Sequence, residues 1–213
     1  MKDASNELRT RSTALARQRY DRIAPVYDLV EWFMELRASG WRRQLWSLVE
    51  GKQVLEIGVG TGASLRHHPS GARIVAIDIS ERMLLRARRK AERLGVGSTL
   101  MLGDAQELPF ADDSFDSVIS SFVFCSIPDP LLGLREARRV LRPGGRLLLL
   151  EHVLSERPVL RQLMRWMDPI ASRISGAHID RATVATVEEA GFVDVETIDR
   201  SLDVVKQITA YSP

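Results

Sequence analysis

The sequence predicts an α/β protein built on a seven-stranded, mostly parallel sheet. Five apolar runs alternate with helical segments, as expected for strands that are buried on both faces. Two more apolar runs lie close together near the C-terminus, which predicts an antiparallel last strand. The strands are expected near residues 53–57, 73–78, 98–102, 115–121, 145–151, 192–199 and 203–211.

Helices are expected ahead of the sheet and between its strands. Residues 5–19 show a weakly amphipathic helical pattern, Pro25 is expected to open a second helix, and a third helix follows Gly40. The chain is therefore expected to divide into N-terminal helices over residues 1–50, which form a lid and a candidate membrane contact, and a sheet domain over residues 51–213. Within the sheet domain, the apolar spacing predicts helices near residues 62–69, 80–93, 130–141 and 181–190.

The loop after the first strand carries the clearest functional signal. An apolar strand runs into three glycines at alternate positions, Gly58, Gly60 and Gly62. Glycines allow a tight turn and let a ligand lie against backbone amides at a helix start. Asp78 closes the next strand, where its carboxylate can accept hydrogen bonds from the two hydroxyl groups of a ribose. This half of the sheet is therefore expected to be Rossmann-like and to bind a nucleoside.

Glu56 indicates which nucleoside the glycine loop binds. A carboxylate two residues before the first glycine would lie near a pyrophosphate and repel it. The same carboxylate suits a zwitterionic ligand that carries an ammonium and a sulfonium group. The pattern therefore favours S-adenosylmethionine over a dinucleotide.

The composition is that of a globular protein. The chain has 213 residues, of which 45% are hydrophobic and 27% are charged. Its one cysteine, Cys125, rules out an internal disulfide, fits a reducing cytoplasm and is expected in the core. No stretch reaches the length of a membrane span, and the four histidines lack metal-ligand spacing. A net charge of +2 does not indicate attraction to nucleic acid. We expect no metal, no nucleic-acid partner and no obligate protein partner.

Five motifs in order resemble the class I S-adenosylmethionine-dependent methyltransferases over residues 50–155. They are the glycine loop, Asp78 and the segments 103–110, 115–121 and 139–151. The resemblance implies S-adenosyl-L-methionine as the cofactor and S-adenosyl-L-homocysteine as its product. The cofactor-binding residues that it implies are Tyr20, Tyr27, Glu56, Gly58, Gly60, Gly62, Asp78, Ile79, Met83, Asp104, Ala105, Gln106, Ser121 and Phe122.

The resemblance also assigns part of the cofactor to each position. The glycines are expected along the methionine part, and Asp78 at the ribose hydroxyl groups. Ile79 and Met83 are expected against the adenine ring, with residues 104–106 at its amino edge. Residues 121–122 are expected to line the methyl-donor side, and the two tyrosines of the N-terminal helices to close over the cofactor.

Further segments narrow the methyl acceptor. Residues 20–28 look like the opening shared by quinone-biosynthesis C-methyltransferases and several lipid methyltransferases, but the Asn-rich entry usual in the quinone enzymes is absent. Residues 124–129, 150–156 and 176–181 look more like the soluble-type bacterial phosphatidylethanolamine N-methyltransferases, although thiol methyltransferases of animals share the first two. The resemblance implies a phospholipid N-methyltransferase that converts phosphatidylethanolamine toward phosphatidylcholine. A quinone-ring C-methyltransferase or a small-molecule thiol methyltransferase is the alternative.

The segment after the fifth strand is expected to form a roof over the acceptor, at about residues 157–178. Its first half interleaves arginines with large apolar side chains and includes Trp166, a candidate substrate contact. Arginine beside tryptophan is typical of a helix on anionic lipid, whereas the same apolar side can equally pack on the sheet. We expect a cytoplasmic protein that associates peripherally with the inner face of the cytoplasmic membrane.

A methyl transfer to an amine also needs a group that accepts a proton. An alkylammonium has a pKa near 10, so its nitrogen must be deprotonated before it can attack. Arg181 is a candidate for holding the lipid phosphate through two parallel hydrogen bonds, or for capping the preceding loop. The candidate catalytic residues are Tyr20, His152, His178 and Asp180.

Two other classes of function fit the sequence less well. The intact glycine loop and the acidic residues around it argue against a module that holds the cofactor or a membrane without turnover. A nucleic-acid methyltransferase would carry an Asn-Pro-Pro type of motif after the fourth strand. Residues 120–123 read Ser-Ser-Phe-Val instead.

Overall fold

The computed structural model describes residues 2–175, 181–201 and 203–213, without the side chains of residues 2–10, 25–37 and 169–175. Its centre is one sheet with the strand order β3-β2-β1-β4-β5-β7-β6. β7 runs antiparallel to both of its neighbours, and the other pairings are parallel, which confirms the predicted architecture. The strands are β1 (Gln53–Ile57), β2 (Arg73–Asp78), β3 (Thr99–Leu102), β4 (Phe115–Ser121), β5 (Leu141–His152), β6 (Val193–Ser201) and β7 (Val205–Tyr211).

Five α-helices accompany the described part of the sheet. Local capping explains where two of them begin: the Ser80 hydroxyl accepts the Met83 N–H, and Asp129 accepts the Leu132 N–H ahead of a helix that opens on proline. None of the described helices combines the length and the apolar character that crossing a membrane requires. The helices are α1 (Lys2–Trp46), α2 (Glu81–Leu94), α3 (Pro130–Val140), α4 (Pro158–Ser175) and α5 (Thr183–Glu189).

The prediction of three separate N-terminal helices was wrong, because α1 is continuous from Lys2 to Trp46. Pro25 lacks an N–H, so the carbonyl of Asp21 loses its usual helical donor. The Arg82 guanidinium of α2 donates to that carbonyl instead, at 3.3 Å. Gly40 costs only about 1 kcal/mol relative to alanine inside a helix, which the surrounding turns tolerate.

The helix predicted over residues 62–69 was also wrong. Only a single 3₁₀ turn forms there, at Leu65–His67. A residue before proline is driven out of the helical conformation, and His68, which precedes Pro69, is extended with φ −61° and ψ 122°. The glycine loop therefore reaches β2 through a short irregular connection.

The core covers both faces of the sheet, as the apolar strands predicted. Leu147 and Leu149 of β5 belong to the cluster that includes residues of α3 and α5. Leu148 and Leu150 belong to the opposite cluster, where the last turn of α1 packs. Burying one such leucine stabilises the folded state by roughly 1.5–3 kcal/mol. Because the leucines alternate between the two faces, the helices on both sides hold the carboxyl ends of the strands in place.

Candidate active site

A cleft lies at the carboxyl ends of the parallel strands and is bordered by α1. Its empty space is about 1040 Å³ with the open mouth included, and most of the residues predicted to contact the cofactor line it. Gly62, Gln106 and His152 do not line it. The predicted residues in its wall are Tyr20, Glu56, Gly58, Gly60, Asp78, Ile79, Met83, Asp104, Ala105, Ser121 and Phe122.

The three glycines of the loop are required for different reasons. A Cβ on Gly58, which has φ +75°, would lie 2.3 Å from Cγ2 of Val123. A Cβ on Gly62 would meet Leu65 at 2.4 Å, so this glycine allows packing rather than ligand contact. Gly60, with φ +55°, borders the cleft, and no described atom lies within 4 Å of a Cβ added to it. The open space beside Gly60 is where a ligand can approach the backbone.

Asp78 occupies the end of β2 as predicted. Its Oδ2 accepts the Gly60 N–H at 2.8 Å, and its Oδ1 accepts the Ser80 N–H at 2.9 Å. The pKa of Asp78 is raised to about 6, mainly by burial and in addition by the neighbouring carboxylates of Glu56 and Asp21, while the two amides oppose this rise. A carboxylate offers about four acceptor directions, so two remain for a ribose diol.

A residue of α1 forms hydrogen bonds with the part of the cleft wall that is predicted to contact adenine. The Thr13 hydroxyl donates to Asp104 Oδ2 at 3.1 Å and accepts from the Gln106 side-chain amide at 3.0 Å. The Gln106 Oε1 also accepts the Asp129 N–H at 3.0 Å, which joins this end to the start of α3. Gln106 thus orients Asp104 from behind the cleft wall.

Glu56 lines the cleft and is held from two sides. The Ser64 hydroxyl donates to its Oε1, and His68 Nε2 lies 2.9 Å from its Oε2. The other ring nitrogen of His68 lies 2.7 Å from the Ser98 hydroxyl, and the Trp46 ring packs against the imidazole with 4.4 Å between centroids and a tilt of 42°. These contacts give the Glu56 carboxylate one fixed orientation.

The loop after β4 is held by a buried carboxylate. Glu151 accepts the N–H groups of Val123 at 2.9 Å, Phe124 at 3.0 Å and Cys125 at 3.4 Å. Burial raises the pKa of Glu151 to about 7, although these amides oppose the shift. Phe122 begins the loop in the left-handed region with φ +61°, a conformation that costs of order 1–3 kcal/mol.

The candidate catalytic residues occupy different environments. Tyr20 lines the cleft, and burial raises its pKa to about 12, so the phenol stays protonated and can donate a hydrogen bond. His152 lies behind Phe122, with 4.8 Å between ring centroids, and burial lowers the pKa of its imidazole. His178, Asp180 and the side chain of Tyr27 lie outside the described residues.

The two candidate substrate-binding residues lie apart from the cleft wall. Arg181 donates from Nη2 to the Ile127 carbonyl at 2.9 Å, and its own carbonyl accepts the Leu154 N–H at 3.0 Å. It therefore supports the loop that contributes Ile127 to the cleft. Trp166 is 73% exposed on α4. Their roles in binding substrate stay predictions.

Comparisons with known proteins agree with this geometry. A family model described as a methyltransferase domain matches residues 55–149. A phosphatidylethanolamine N-methyltransferase from Cereibacter sphaeroides is 34% identical over 76% of this chain and 75% of its own length. This chain belongs to the S-adenosylmethionine-dependent methyltransferases. A demethylmenaquinone methyltransferase from Thermus thermophilus is 39% identical over 62% of this methyltransferase, but the match spans only 63% of that relative.

A solved structure shows the same fold. The S-adenosylmethionine-dependent methyltransferase from Thermotoga maritima, described as a possible histamine N-methyltransferase, superposes with a TM-score of 0.70. The two chains are 23% identical, and the superposition covers 92% of this methyltransferase and 99% of the other chain. At this identity the likeness supports the fold alone.

The cleft of this methyltransferase fits the cofactor of its family. Asp78 at the end of β2 and Glu56 near the end of β1 place two carboxylates in the cleft wall. Between them the glycine loop leaves open space beside Gly60, where a ligand can contact the backbone. Asp78 would hold the ribose, Met83 would contact adenine and Glu56 would face the ammonium group. When bound, S-adenosylmethionine supplies an electrophilic methyl group on a sulfonium.

Several residues of the cleft of this methyltransferase were not predicted from its sequence. Arg42 is one of them, and its position contained a signal. It precedes Leu45, Trp46 and Val49 by three, four and seven residues, so it is a charged residue within an apolar helical stripe. No local pattern marked Ala16, Ser64 and Val123, whereas Ser126, Ile127 and Pro128 lie in the segment 124–129 that the sequence related only to the choice of acceptor. The remaining unpredicted residues of the wall belong to the predicted strands and the loops that follow them: Ile57, Val59, Ile77 and Gly103.

Proposed function

We propose that this methyltransferase transfers methyl groups to the headgroup amine of phosphatidylethanolamine at an anionic membrane surface. The observation that carries the proposal is an exposed apolar stripe on α4. Val159, Leu163 and Trp166 are 83%, 48% and 73% exposed, and their spacing of four and three residues places them on one side of the helix. These side chains therefore do not pack on the sheet, which was the alternative from sequence.

The charges beside the stripe favour anionic lipid. Arg157, just before α4, and Arg165, on α4, are exposed, whereas Arg161 donates to the carbonyls of Ser155 and Glu156, each at 2.9 Å. Each arginine near an anionic surface contributes about 1 kcal/mol to the free energy of membrane binding. The amphipathic ring of Trp166 is suited to the headgroup region of a bilayer. Two arginines and a shallow apolar stripe would support reversible adsorption.

The position of α4 supports an acceptor that comes from the membrane. The helix follows β5, whose carboxyl end carries Glu151 beneath the loop that lines the cleft. Parallel strands place their carboxyl ends at one edge of the sheet, so α4 starts beside the cleft edge. A lipid headgroup could thus reach the methyl donor while its acyl chains stay in the bilayer.

The cleft wall also suits an amine that must lose a proton. Arg42 is a fixed positive charge in this wall, and Phe122 and Ile127 are apolar. Both a nearby cation and desolvation lower the pKa of an amine, which favours its neutral, nucleophilic form. The protonated hydroxyl of Tyr20 can orient the nitrogen by hydrogen bonding, since methyl transfer depends mostly on alignment.

A second candidate acceptor is a quinone ring. Several curated relatives are named demethylmenaquinone methyltransferases, and another is a ubiquinone/menaquinone biosynthesis C-methyltransferase. An apolar quinone precursor would also reside in a membrane, so the α4 stripe supports either acceptor. The difference lies in whether nitrogen or ring carbon receives the methyl group.

Labelled cofactor distinguishes these acceptors. The purified protein is incubated with S-adenosylmethionine labelled in its methyl group and with phosphatidylglycerol vesicles that contain either phosphatidylethanolamine or demethylmenaquinone, the latter reduced beforehand with dithionite to the quinol so that its ring carbon is nucleophilic. Label in the aminophospholipid supports the proposal. Label in the quinone alone overturns it.

The membrane part is tested by vesicle flotation. Replacing Val159, Leu163 and Trp166 by serine together is expected to release the protein from anionic vesicles. The matched control replaces Leu85 and Leu94, which are also exposed but lie on α2, and is expected to float like the wild type. Equal flotation of all three proteins would contradict a role for α4.

A further inference from the structure

The helix α4 buries little of its surface against the rest of the protein. Among its described side chains, at residues 158–168, only Met164 and Asp168 are buried. None of these described residues lines the cleft. A helix with so few buried apolar contacts is not fixed in direction by packing alone. Its direction therefore depends on the polar contacts at its base.

The base of α4 is bonded to a carboxylate in the turn between β6 and β7. Asp203 accepts the Ser155 hydroxyl at 2.8 and 3.0 Å on its two oxygens, and it accepts the Glu156 N–H at 2.9 Å. The Ser155 oxygen in turn accepts the N–H of Arg157, the residue before the helix, at 3.1 Å. Ser155 and Asp203 are both buried, which strengthens these hydrogen bonds. The turn thus fixes the segment 155–157, from which α4 starts.

Neighbouring contacts hold the same connection from two other sides. The Val153 N–H donates to the Val204 carbonyl at 3.0 Å, and Lys206 Nζ lies 2.8 Å from Glu156 Oε1. From the helix itself, Arg161 donates to the Glu156 carbonyl at 2.9 Å. The start of β7 and the first turn of α4 therefore both hold the connection between β5 and α4.

We infer that Asp203 is a positioning residue for the methyl transfer and acts by fixing α4 relative to the cleft. The inference rests on the proposed function, in which the exposed stripe of α4 lies on the membrane. Apolar and basic side chains of α4 determine whether the protein adsorbs. The direction of α4 determines whether the adsorbed protein presents its cleft to the headgroups, and a misplacement of about 1 Å can cost about a hundredfold in rate. Adsorption and turnover are therefore separable.

The chain offers a substitution that removes the carboxylate without straining the backbone. Asp203 has φ +59°, a conformation that glycine adopts freely, so the test variant is Asp203→Gly. The matched control is Asp194→Gly, at an exposed aspartate of β6 with φ +50°. Asp203→Asn keeps a polar side chain that can bond to the Ser155 hydroxyl and the Glu156 N–H. It is expected to retain most of the wild-type activity.

Methyl transfer is measured on phosphatidylethanolamine in phosphatidylglycerol vesicles and on a short-chain phosphatidylethanolamine that dissolves as monomers. Asp203→Gly is expected to float with the vesicles like the wild type and to keep its KM for vesicles within about twofold, because the stripe is intact. Its kcat on vesicles is expected to fall about tenfold or more, whereas its rate on the short-chain lipid stays within about twofold. Asp194→Gly is expected to match the wild type in every assay.

Three results would overturn the inference. An equal loss of rate on vesicles and on the short-chain lipid would place the effect of Asp203 in the cleft or in the whole fold. Loss of flotation would show that Asp203 is needed for the helix itself, and an unchanged kcat on vesicles would show that it does not position α4. If Asp203→Gly does not fold, Ser155→Ala removes the same hydroxyl contacts and must give the same separation of adsorption from turnover.

Failure of the proposed function is a separate result. A wild type that methylates neither form of phosphatidylethanolamine overturns that function, and hydrogen exchange then decides whether Asp203 anchors α4. Faster exchange over residues 158–168 in Asp203→Gly, with wild-type exchange in Asp194→Gly, supports the anchor. Equal exchange in the two variants contradicts it.

Discussion

The carboxylate of Glu151 accepts the backbone N–H of Val123 at 2.9 Å. Through this bond and those to the next two amides, the end of β5 determines the conformation of the loop after β4. That loop begins at Phe122, in a left-handed conformation, and contributes several residues to the cleft. A buried acid outside the cleft wall thus positions the side of the site where we place the methyl acceptor.

Replacing Glu151 by glutamine is expected to change how stability depends on pH. Burial raises the folded-state pKa of Glu151 from 4.5 to about 7, so the folded protein holds this proton more tightly than the unfolded chain does. The stabilisation is fully present below about pH 4.5 and is lost as the pH rises through about 7, a change of roughly 3 kcal/mol. Urea unfolding of wild type and Glu151→Gln across this range measures the difference.

The control for Glu151 is Glu92→Gln, an exposed position on α2. It is expected to follow the wild-type pH curve. If the free energy of unfolding of Glu151→Gln changes with pH as that of the wild type does from pH 4.5 to 7, the folded protein does not hold a proton on Glu151 in this range.

Asp78→Asn is expected to weaken binding of S-adenosylhomocysteine by about ten- to a hundredfold, because hydrogen bonds to a charged group are worth about 1.5–3 kcal/mol. Ribose hydroxyls donate best to the ionised carboxylate, and the pKa of Asp78 is about 6. Wild-type affinity is therefore expected to fall as the pH drops through about 6, whereas the asparagine variant loses this dependence. Calorimetry at several pH values measures both effects, and a wild-type affinity independent of pH would contradict this role.

Alanine at two loop glycines is expected to produce different defects. Gly58→Ala forces its Cβ against Val123, so it should lower the free energy of unfolding by more than the about 1–2 kcal/mol cost of its positive φ. In Gly60→Ala the added methyl group has no described atom within 4 Å, so the backbone cost applies without a clash, but the methyl group intrudes on the cleft and should weaken cofactor binding.

Gly71→Ala is the control for these substitutions, because an added Cβ there meets nothing within 4 Å and its φ is not positive. It is expected to leave binding unchanged and stability unchanged or slightly higher. Urea unfolding and calorimetry separate the two defects. Equal stability losses in Gly58→Ala and Gly60→Ala would show that contact with Val123 does not matter.

Asp21→Ala is expected to loosen α1 from the cleft. The Asp21 carboxylate accepts the Ser80 hydroxyl at 2.6 Å and so joins α1 to the start of α2. Removing this bond should lower the free energy of local unfolding of residues 11–24 by about 1–2 kcal/mol, which raises the equilibrium constant for their opening about tenfold. Hydrogen exchange measures this opening, and cofactor affinity should fall because Tyr20 lies in the same segment. Arg22→Ala, at an exposed neighbour, should leave exchange unchanged, and equal exchange in both variants would argue against the Asp21 contact.

Local patterns were sufficient for the sheet and for the cofactor-binding loop. The apolar runs predicted all seven strands. Glu56, Asp78 and Asp104 lie near the carboxyl ends of the first three strands, so their common position in the cleft wall was also predictable. Two helix predictions near prolines were wrong: a helix boundary was predicted at Pro25 where there is none, and a helix was predicted before Pro69 where none forms. At Pro25 a donor from α2 replaced the lost hydrogen bond and the helix continued, whereas at Pro69 nothing restored a helix over residues 62–69.

The sequence by itself determined the fold, the family and the acidic and glycine positions of the cofactor site, because strand periodicity and strand-end residues are local properties. Only the tertiary structure decided that Arg42 enters the cleft, that His68 orients Glu56 and that Trp166 faces outward. Each of these facts depends on contacts between residues far apart in the chain or on which side of a helix the core covers. Spacing along a sequence does not contain that information.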